Sequence, residues 1–411
     1  MFEIGWFFTI YDCKILYQNV IIIVANIKES KLRVNTEIIE KARSYFPYLK
    51  NEIIYFNHAS TGPISIKVKD RIESFLKERS EEKIDDYYAF KDVAEETRIM
   101  IGEMINCKED RIAFLDNTTN GIIWLAQGID WKAGDRIILN DVEFPANVYP
   151  FLQLKEKGVE IDFIKSNDGI VTAEEIINAI QPRTKLISVS FVQFLSGYRI
   201  DLEKVGKICK EKRIIFSVDA IQGLGAIRLD VDKCNIDFLA NGTQKWLLGL
   251  QGLAFIYVRK ELQKKMKSAP IGWLAVKDAW NLLDFDLATK ETAERFQPGT
   301  LNNLGIYAFN SSMKLFKEFG FDEIEKQVLS NSKYFIDELA KIGYKPPLST
   351  LPEKHLSGIV SFRSENAQNI FDILSQKKIV CSLREGYIRF APHFYNTKQE
   401  IDLVVDTMKN I

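Results

Sequence analysis

Two charged residues set in apolar surroundings are the first candidates for chemistry. Asp219 follows the run Ile214–Val218 in Ser217-Val-Asp-Ala-Ile-Gln-Gly223. A carboxylate placed directly after a buried strand either caps a helix or faces a cation on a ligand. Lys245 lies between apolar segments in Phe238-Leu-Ala-Asn-Gly-Thr-Gln-Lys245-Trp-Leu-Leu-Gly. An amine there must snorkel, pair or react. The two sit on neighbouring strand-like segments, so both can reach one pocket. A third candidate is Asp116-Asn-Thr-Thr-Asn-Gly121. Its hydroxyls and free backbone N–H groups at a helix start make either an anion cradle or an ordinary cap.

The elements that must position these residues alternate along the chain. Short apolar runs bounded by turns occur at Ile112–Leu115, Arg136–Leu139, Glu160–Ile164, Leu186–Val192, Ile214–Val218, Phe238–Ala240 and Ala254–Val258. Helical patterns precede and separate them, at Ser65–Glu81, Val93–Ile105, Gly121–Gln127, Val148–Lys157, Ala173–Ile180 and Leu202–Lys212. Such alternation implies an α/β domain, with a mostly parallel seven-stranded sheet between helices. In open sheets of this kind ligands gather beyond the carboxyl ends of the strands, where the candidates lie. After Pro298-Gly-Thr the pattern changes to long helices, Asn303–Phe319 and Asp322–Ile342, then strand candidates Gly358–Arg363 and Tyr387–Ala391. The expected organisation is an N-terminal extension (1–30), a segment packing on the small domain (31–64), a large domain (65–300) and a smaller α+β domain (301–411).

Composition narrows the partners. The 411 residues are 46% hydrophobic and 27% charged, enough for a large core and against global disorder. With 55 Lys+Arg against 56 Asp+Glu the net charge is -1, so nothing global steers the chain to nucleic acid or anionic lipid. A small molecule is the better partner. Five cysteines without a Cys-x-x-Cys pair and three histidines give poor support for a metal cage, and a reducing cytoplasm fits best. The apolar run Val20–Ala25 is far short of the about 20 residues that cross a bilayer. No membrane association is expected.

The Asp-Ala-Ile-Gln, Gly-Thr-Gln-Lys-Trp-Leu-Leu-Gly and Pro-Gly-Thr motifs, in that order and at that spacing, resemble the class V aminotransferase group of fold-type I pyridoxal-phosphate enzymes. That group includes cysteine desulfurases, kynureninase and isopenicillin N epimerase-like proteins, and the resemblance covers about residues 50–411. It implies that Lys245 forms the covalent link to pyridoxal 5'-phosphate and that Asp219 pairs with the pyridinium nitrogen. It also implies that Gln222 approaches the ring hydroxyl, that Thr118 and Thr119 bind the phosphate, and that Thr243 and Gln244 flank the cofactor. Gly299 and Thr300 match a segment that reaches the phosphate of the other subunit of a homodimer with shared active sites. Arg389, in Tyr387-Ile-Arg-Phe-Ala-Pro-His, matches the arginine that grips the substrate α-carboxylate, and its fork suits a bidentate pair. Arg384 matches a second arginine of the rim. Asn57 and His58 lie in a stretch that passes the site, with His58 either a contact or a satisfied structural histidine.

The departures from the family pattern are as informative. Phe144 stands where desulfurases carry a ring-stacking histidine; it can stack but cannot shuttle a proton. Gln244 replaces another histidine, and Phe194 falls where asparagine is common, with Gln193 a possible substitute. Only Glu-Gly-Tyr-Ile separates Arg384 from Arg389, leaving no room for the loop that carries the desulfurase nucleophile, and Cys381 reads as buried packing. The expectation is therefore an enzyme acting at the α-carbon of an amino acid by transamination, racemisation or epimerisation, or elimination, on the epimerase-like branch. The alternatives are a cysteine desulfurase or a non-catalytic cofactor-binding scaffold.

Overall fold

The computed structural model describes residues 37–266, 269–409 and 411. The expected extension, with Cys13 and the run Val20–Ala25, lies outside the described residues. Phe46–Ile411 forms one compact unit.

Its centre is a seven-stranded sheet. In chain order the strands are β2 (Ile112–Leu115), β3 (Arg136–Asn140), β4 (Glu160–Ile164), β5 (Thr184–Ser190), β6 (Ile215–Asp219), β7 (Phe238–Gly242) and β8 (Ala254–Val258), after a short β1 (Ile54–Tyr55) outside this sheet. The spatial order is β2-β8-β7-β6-β5-β3-β4, and β8 alone runs antiparallel to its neighbours. The inner strands β7 and β8 are buried along their whole length, as two-sided coverage requires. The edge strand β4 has no fully buried residue and meets solvent beside the Arg136–Asp162 ion pair. One face is covered by helix Thr118–Gly128, whose Ile122, Trp124 and Leu125 join Leu139, Phe151, Leu186 and Ile256 in one apolar cluster.

Beyond residue 300 the chain builds a second sheet, β11-β12-β9, from β9 (Val360–Arg363), β11 (Ser382–Arg384) and β12 (Tyr387–Phe390). A two-residue strand β10 (Ile379–Val380) pairs in parallel with β1. This pair, together with Phe56 N–H to Val380 O at 2.8 Å and Ala391 N–H to Phe56 O at 2.7 Å, fastens residues 54–56 to the C-terminal sheet. Helix Asn303–Phe319, capped by Asn302, packs on Ile66–Lys77 and Tyr87–Ile105.

Two expected helices differ. The pattern at Val148–Lys157 divides into Tyr149–Leu152 and a 3₁₀ turn at Gln153–Lys157, with Pro150 in its first turn. The helix expected from Val93 begins at Tyr87, because Asp86 accepts the Ala89 N–H at 3.1 Å and caps it earlier.

Candidate active site

The carboxyl ends of β3, β5, β6 and β7 and the start of helix Thr118–Gly128 surround a cavity of about 290 Å³. Asp219, Lys245, Gln222, Gln244, Thr118, Thr119, Phe144, Arg384 and Arg389 all line it. Asp219 is the last residue of β6, pairs in register with Ser190 and is 3% exposed. Its carboxylate accepts the Ile221 N–H at 3.0 Å. Burial lifts this carboxyl above the ordinary range, nearby Glu143 adds to the effect, and the Ile221 bond and the Lys245 charge oppose it.

Lys245 sits on the turn after β7, and that turn is held from several sides. Thr243 Oγ1 donates within reach of Leu250 O (2.8 Å) and Leu253 O (3.1 Å). Gly62 N–H donates to Gln244 O at 2.8 Å, and a Cβ at Gly62 would lie 2.3 Å from Lys245 O. Glycine is therefore required there for the backbones to approach. Leu248 takes a φ of +55°, unusual for its type, with Gly249 N–H tied to Thr243 O at 2.8 Å. Trp246 Nε1 donates to Gln222 Oε1 at 3.1 Å, and Gln222 Nε2 to Ala59 O at 2.9 Å. Burial pulls the Lys245 amine below its ordinary range; Asp219 opposes this, and Arg389 and Arg384 reinforce it. Lys245 Nζ stands 5.8 Å from the Phe144 ring centre.

At the helix start, Asn117 Oδ1 accepts the Asn120 N–H at 2.8 Å, and Thr118 Oγ1 is buried with no partner among the described residues. A buried hydroxyl left open beside a helix N-terminus marks a place for an anion. The hairpin β11–β12 turns through Glu385 and Gly386, both at positive φ, so it is a two-residue turn of the primed kind. Its register sets Ser382 opposite Arg389 and Arg384 opposite Tyr387, which puts both arginines on one face. Arg389 donates to Ser382 Oγ (3.1 Å), Phe194 O (2.6 Å) and Ser60 Oγ (3.0 Å). Burial, then the neighbouring Arg384, pull its guanidinium below the usual range, and it stays charged at neutral pH.

Several expected contacts are not found. His58 is a structural histidine: it is fully buried, one ring nitrogen meets Ala391 O at 2.8 Å and the other Tyr395 Oη at 2.6 Å. Asn57 bridges Ala391 through its backbone and does not line the cavity. Thr243 orients the lysine turn and is sealed from the cavity. Gln193 does not replace asparagine, because its Nε2 turns to Glu143 at 3.0 Å while Phe194 takes the wall position. Gly299 and Thr300 line no part of this chain's cavity; the nearest neighbour to a Cβ at Gly299 is Trp273, at 3.6 Å. Cys381 is buried, and burial pushes its thiol up to about 12.

Glu143 is a site residue with no expected role. Its buried carboxylate accepts from Asn140 Nδ2 (2.7 Å), Ser190 N (2.9 Å) and Gln193 Nε2 on one oxygen, and from Asn147 Nδ2 (3.0 Å) and Ser190 Oγ (2.5 Å) on the other. It ties the Phe144 turn to the ends of β3 and β5 and to the loop carrying Phe194, and the two rings meet edge to face at 5.4 Å. Glu143→Gln turns one acceptor into a donor facing donors. The variant should unfold in urea with about 1–3 kcal/mol less stability, measured on cofactor-free protein.

The family described as Aminotransferase class-V matches residues 54–404. The uncharacterized aminotransferase YcbU of Bacillus subtilis is 29% identical over 373 residues, 89% of this chain and 96% of its own. A probable cysteine desulfurase of Mycoplasma genitalium is 30% identical over 341 residues, 77% of this chain and 82% of its own. Among solved structures, the apo cysteine desulfurase from Thermococcus onnurineus NA1 superposes with a TM-score of 0.81 at 25% identity, covering 90% of this chain and 97% of that one. A C-DES mutant with glycine linked covalently to its PLP cofactor shares the fold at a TM-score of 0.81 and 20% identity, covering 90% of this chain and 99% of its own.

Proposed function

The chain belongs to the class-V aminotransferase family, and from that premise we propose that Lys245, Asp219 and Arg389 carry a reaction at the α-carbon of its substrate. The protein is a pyridoxal-phosphate-dependent enzyme acting on amino acids. The observation that carries the proposal is the meeting of a depressed amine, an elevated carboxyl and a buried guanidinium in one cavity. The residues fit the cofactor. The open Thr118 hydroxyl, Thr119 and the helix N–H groups suit its phosphate; Asp219 suits its ring nitrogen and Phe144 its face. Gln222 and Gln244 lie within the same wall.

Bound there, pyridoxal phosphate supplies a sink for the electrons left when the α-proton departs. Asp219 would face the ring nitrogen, where its negative charge would favour a proton on that nitrogen. Lys245, whose amine has an uncharged fraction near neutral pH, would take the α-proton as general base. Arg389 exchanges its contacts to Ser60 and Phe194 for a bidentate grip on the α-carboxylate. Phe144 and Phe194 screen the reacting atoms from water.

Transamination, racemisation or elimination on the epimerase-like branch is the reading favoured by Phe144 and by the tight hairpin. Sulfur transfer is a second reading, favoured by the relatives named probable cysteine desulfurases. The two-residue turn at Glu385 and Gly386 and the inert Cys381 thiol weigh against it. A spectrophotometric screen of common amino acids decides: loss of the cofactor band with hydrogen exchange at Cα and no alanine formed from cysteine supports the first reading, and conversion of cysteine to alanine with release of its sulfur overturns it.

The working unit is a homodimer in the cytoplasm. Trp280, Leu282, Leu283, Phe285 and Leu287 are exposed on the stretch before Pro298-Gly-Thr, a surface that a second copy would cover. Four described cysteines are unpaired, which suits a reducing compartment. Within its own chain Gly299 has ordinary room for a side-chain atom beside Trp273. Gly299→Leu should therefore weaken the dimer and cofactor retention together, read by light scattering during a cofactor titration. A monomer that retains pyridoxal phosphate as firmly as the parent would show that the site is complete in one chain.

A further inference from the structure

The charges around the cavity do not balance. Among the described residues its lining holds one carboxylate, Asp219, against Lys245, Arg384 and Arg389. Asp219 acts on Lys245 and is taken by the cofactor under the reading above. Among the described residues Arg389 has only neutral acceptors: a carbonyl and the hydroxyls of Ser60 and Ser382. Arg384, exposed at the mouth, turns Nη2 toward the same Ser60 Oγ at 3.5 Å. Two guanidiniums thus converge on one neutral hydroxyl.

The hairpin fixes their spacing. Arg384 pairs with Tyr387, and Arg389 stands two residues on, so the arginines are diagonal neighbours on one face, roughly 7–8 Å apart at their bases. With two residues in the turn, neither can be carried away by a flexible loop. One α-carboxylate on Arg389 neutralises one of these charges and leaves Arg384 facing the substrate side chain. We propose that Arg384 is a specificity-determining residue that binds a second anionic group, so that the preferred substrate is an amino acid with a carboxylate on a short side chain. The hydrocarbon stem between the two carboxylates then lies against Phe194 and Phe144. This inference rests on Arg389 holding the α-carboxylate.

The test uses holoenzyme and two unreactive probes of equal chain length, succinate and butyrate, titrated by calorimetry at low ionic strength. Succinate should bind about tenfold or more tightly than butyrate, the worth of one added charge-assisted contact. Arg384→Gln should bring the two probes to within about threefold of each other by weakening succinate far more than butyrate, while Arg384→Lys keeps part of the preference. Equal binding of both probes to the parent would mean that the two arginines share one carboxylate, and it overturns the proposal, as does an unchanged ratio in Arg384→Gln. A second measurement separates this from the function itself. If the cofactor band responds to L-alanine as readily as to L-aspartate, the specificity proposal fails and the enzyme reading stands. If no amino acid moves the band while the succinate preference holds, the enzyme reading fails and the two-anion site stands.

Discussion

Lys245→Ala protein should hold no chromophore that borohydride fixes to the chain. Among the described residues the cavity is lined by one primary amine, which is therefore the place for a reducible link to pyridoxal phosphate. The parent, reduced and then denatured, should keep its label; the variant should release everything on denaturation. Turnover should fall by at least about 10²–10⁴, the usual worth of a positioned general base. The depressed amine supplies a readout independent of activity. Over the window between its folded value and the ordinary lysine range, the unfolded chain binds a proton that the folded chain has released. Stability of cofactor-free parent should therefore rise with pH through that window, and the contribution should vanish in Lys245→Ala. A covalently retained, reducible chromophore in the variant would remove Lys245 from its assigned place.

The parts of this molecule that were legible in the sequence share a physical cause. Strands β2, β4 and β8 match the expected runs to the residue, because a strand buried on both faces reads as an unbroken apolar segment, and the β4 edge is bounded by turn residues. The β1–β10 pair was not legible: two residues carry no period, and their partners lie more than 300 residues away in the chain. The same distance hid the state of His58. Its burial is decided by Ala391 and Tyr395, which no local pattern connects to it. Gln193, expected as a possible substitute for asparagine at Phe194, turns its amide to Glu143 while the Phe194 ring lines the cavity, a choice set by a carboxylate 50 residues away. Glu143 itself carried a signal that went unused. An acid between Asn140 and Asn147, just past a buried strand, cannot be left unpaired there, and these two of its donors lie in the local sequence. Glu-Gly between two strand-like pairs predicts a two-residue turn, and that turn alone dictates that Arg384 and Arg389 share a face.

Asp219→Asn should separate the electrostatic duty of this carboxylate from its bulk. The amide keeps an oxygen that can accept the Ile221 N–H, so the strand end and the cavity wall should survive. Covalent attachment of pyridoxal phosphate to Lys245 should survive with them, because attachment requires the amine and the phosphate site. Exchange of the substrate α-hydrogen for deuterium should slow by about 10²–10³, the scale set by removal of one preorganised charge or donor from a dry site. The same change should stabilise the cofactor-free protein at neutral pH. Burial raises the folded carboxyl above its unfolded value, so parent stability falls as pH rises from the ordinary carboxylate range through the folded value. The asparagine variant lacks that loss. Its advantage in melting temperature should be present at pH 7–8 and should close toward about pH 4, where the carboxyl is protonated in the folded and increasingly in the unfolded chain. Loss of exchange with gain of stability is what a buried charge kept for chemistry produces. A variant that exchanges at the parent rate, or one that melts lower than the parent at neutral pH while still binding cofactor, would show that Asp219 caps its strand and serves no cation.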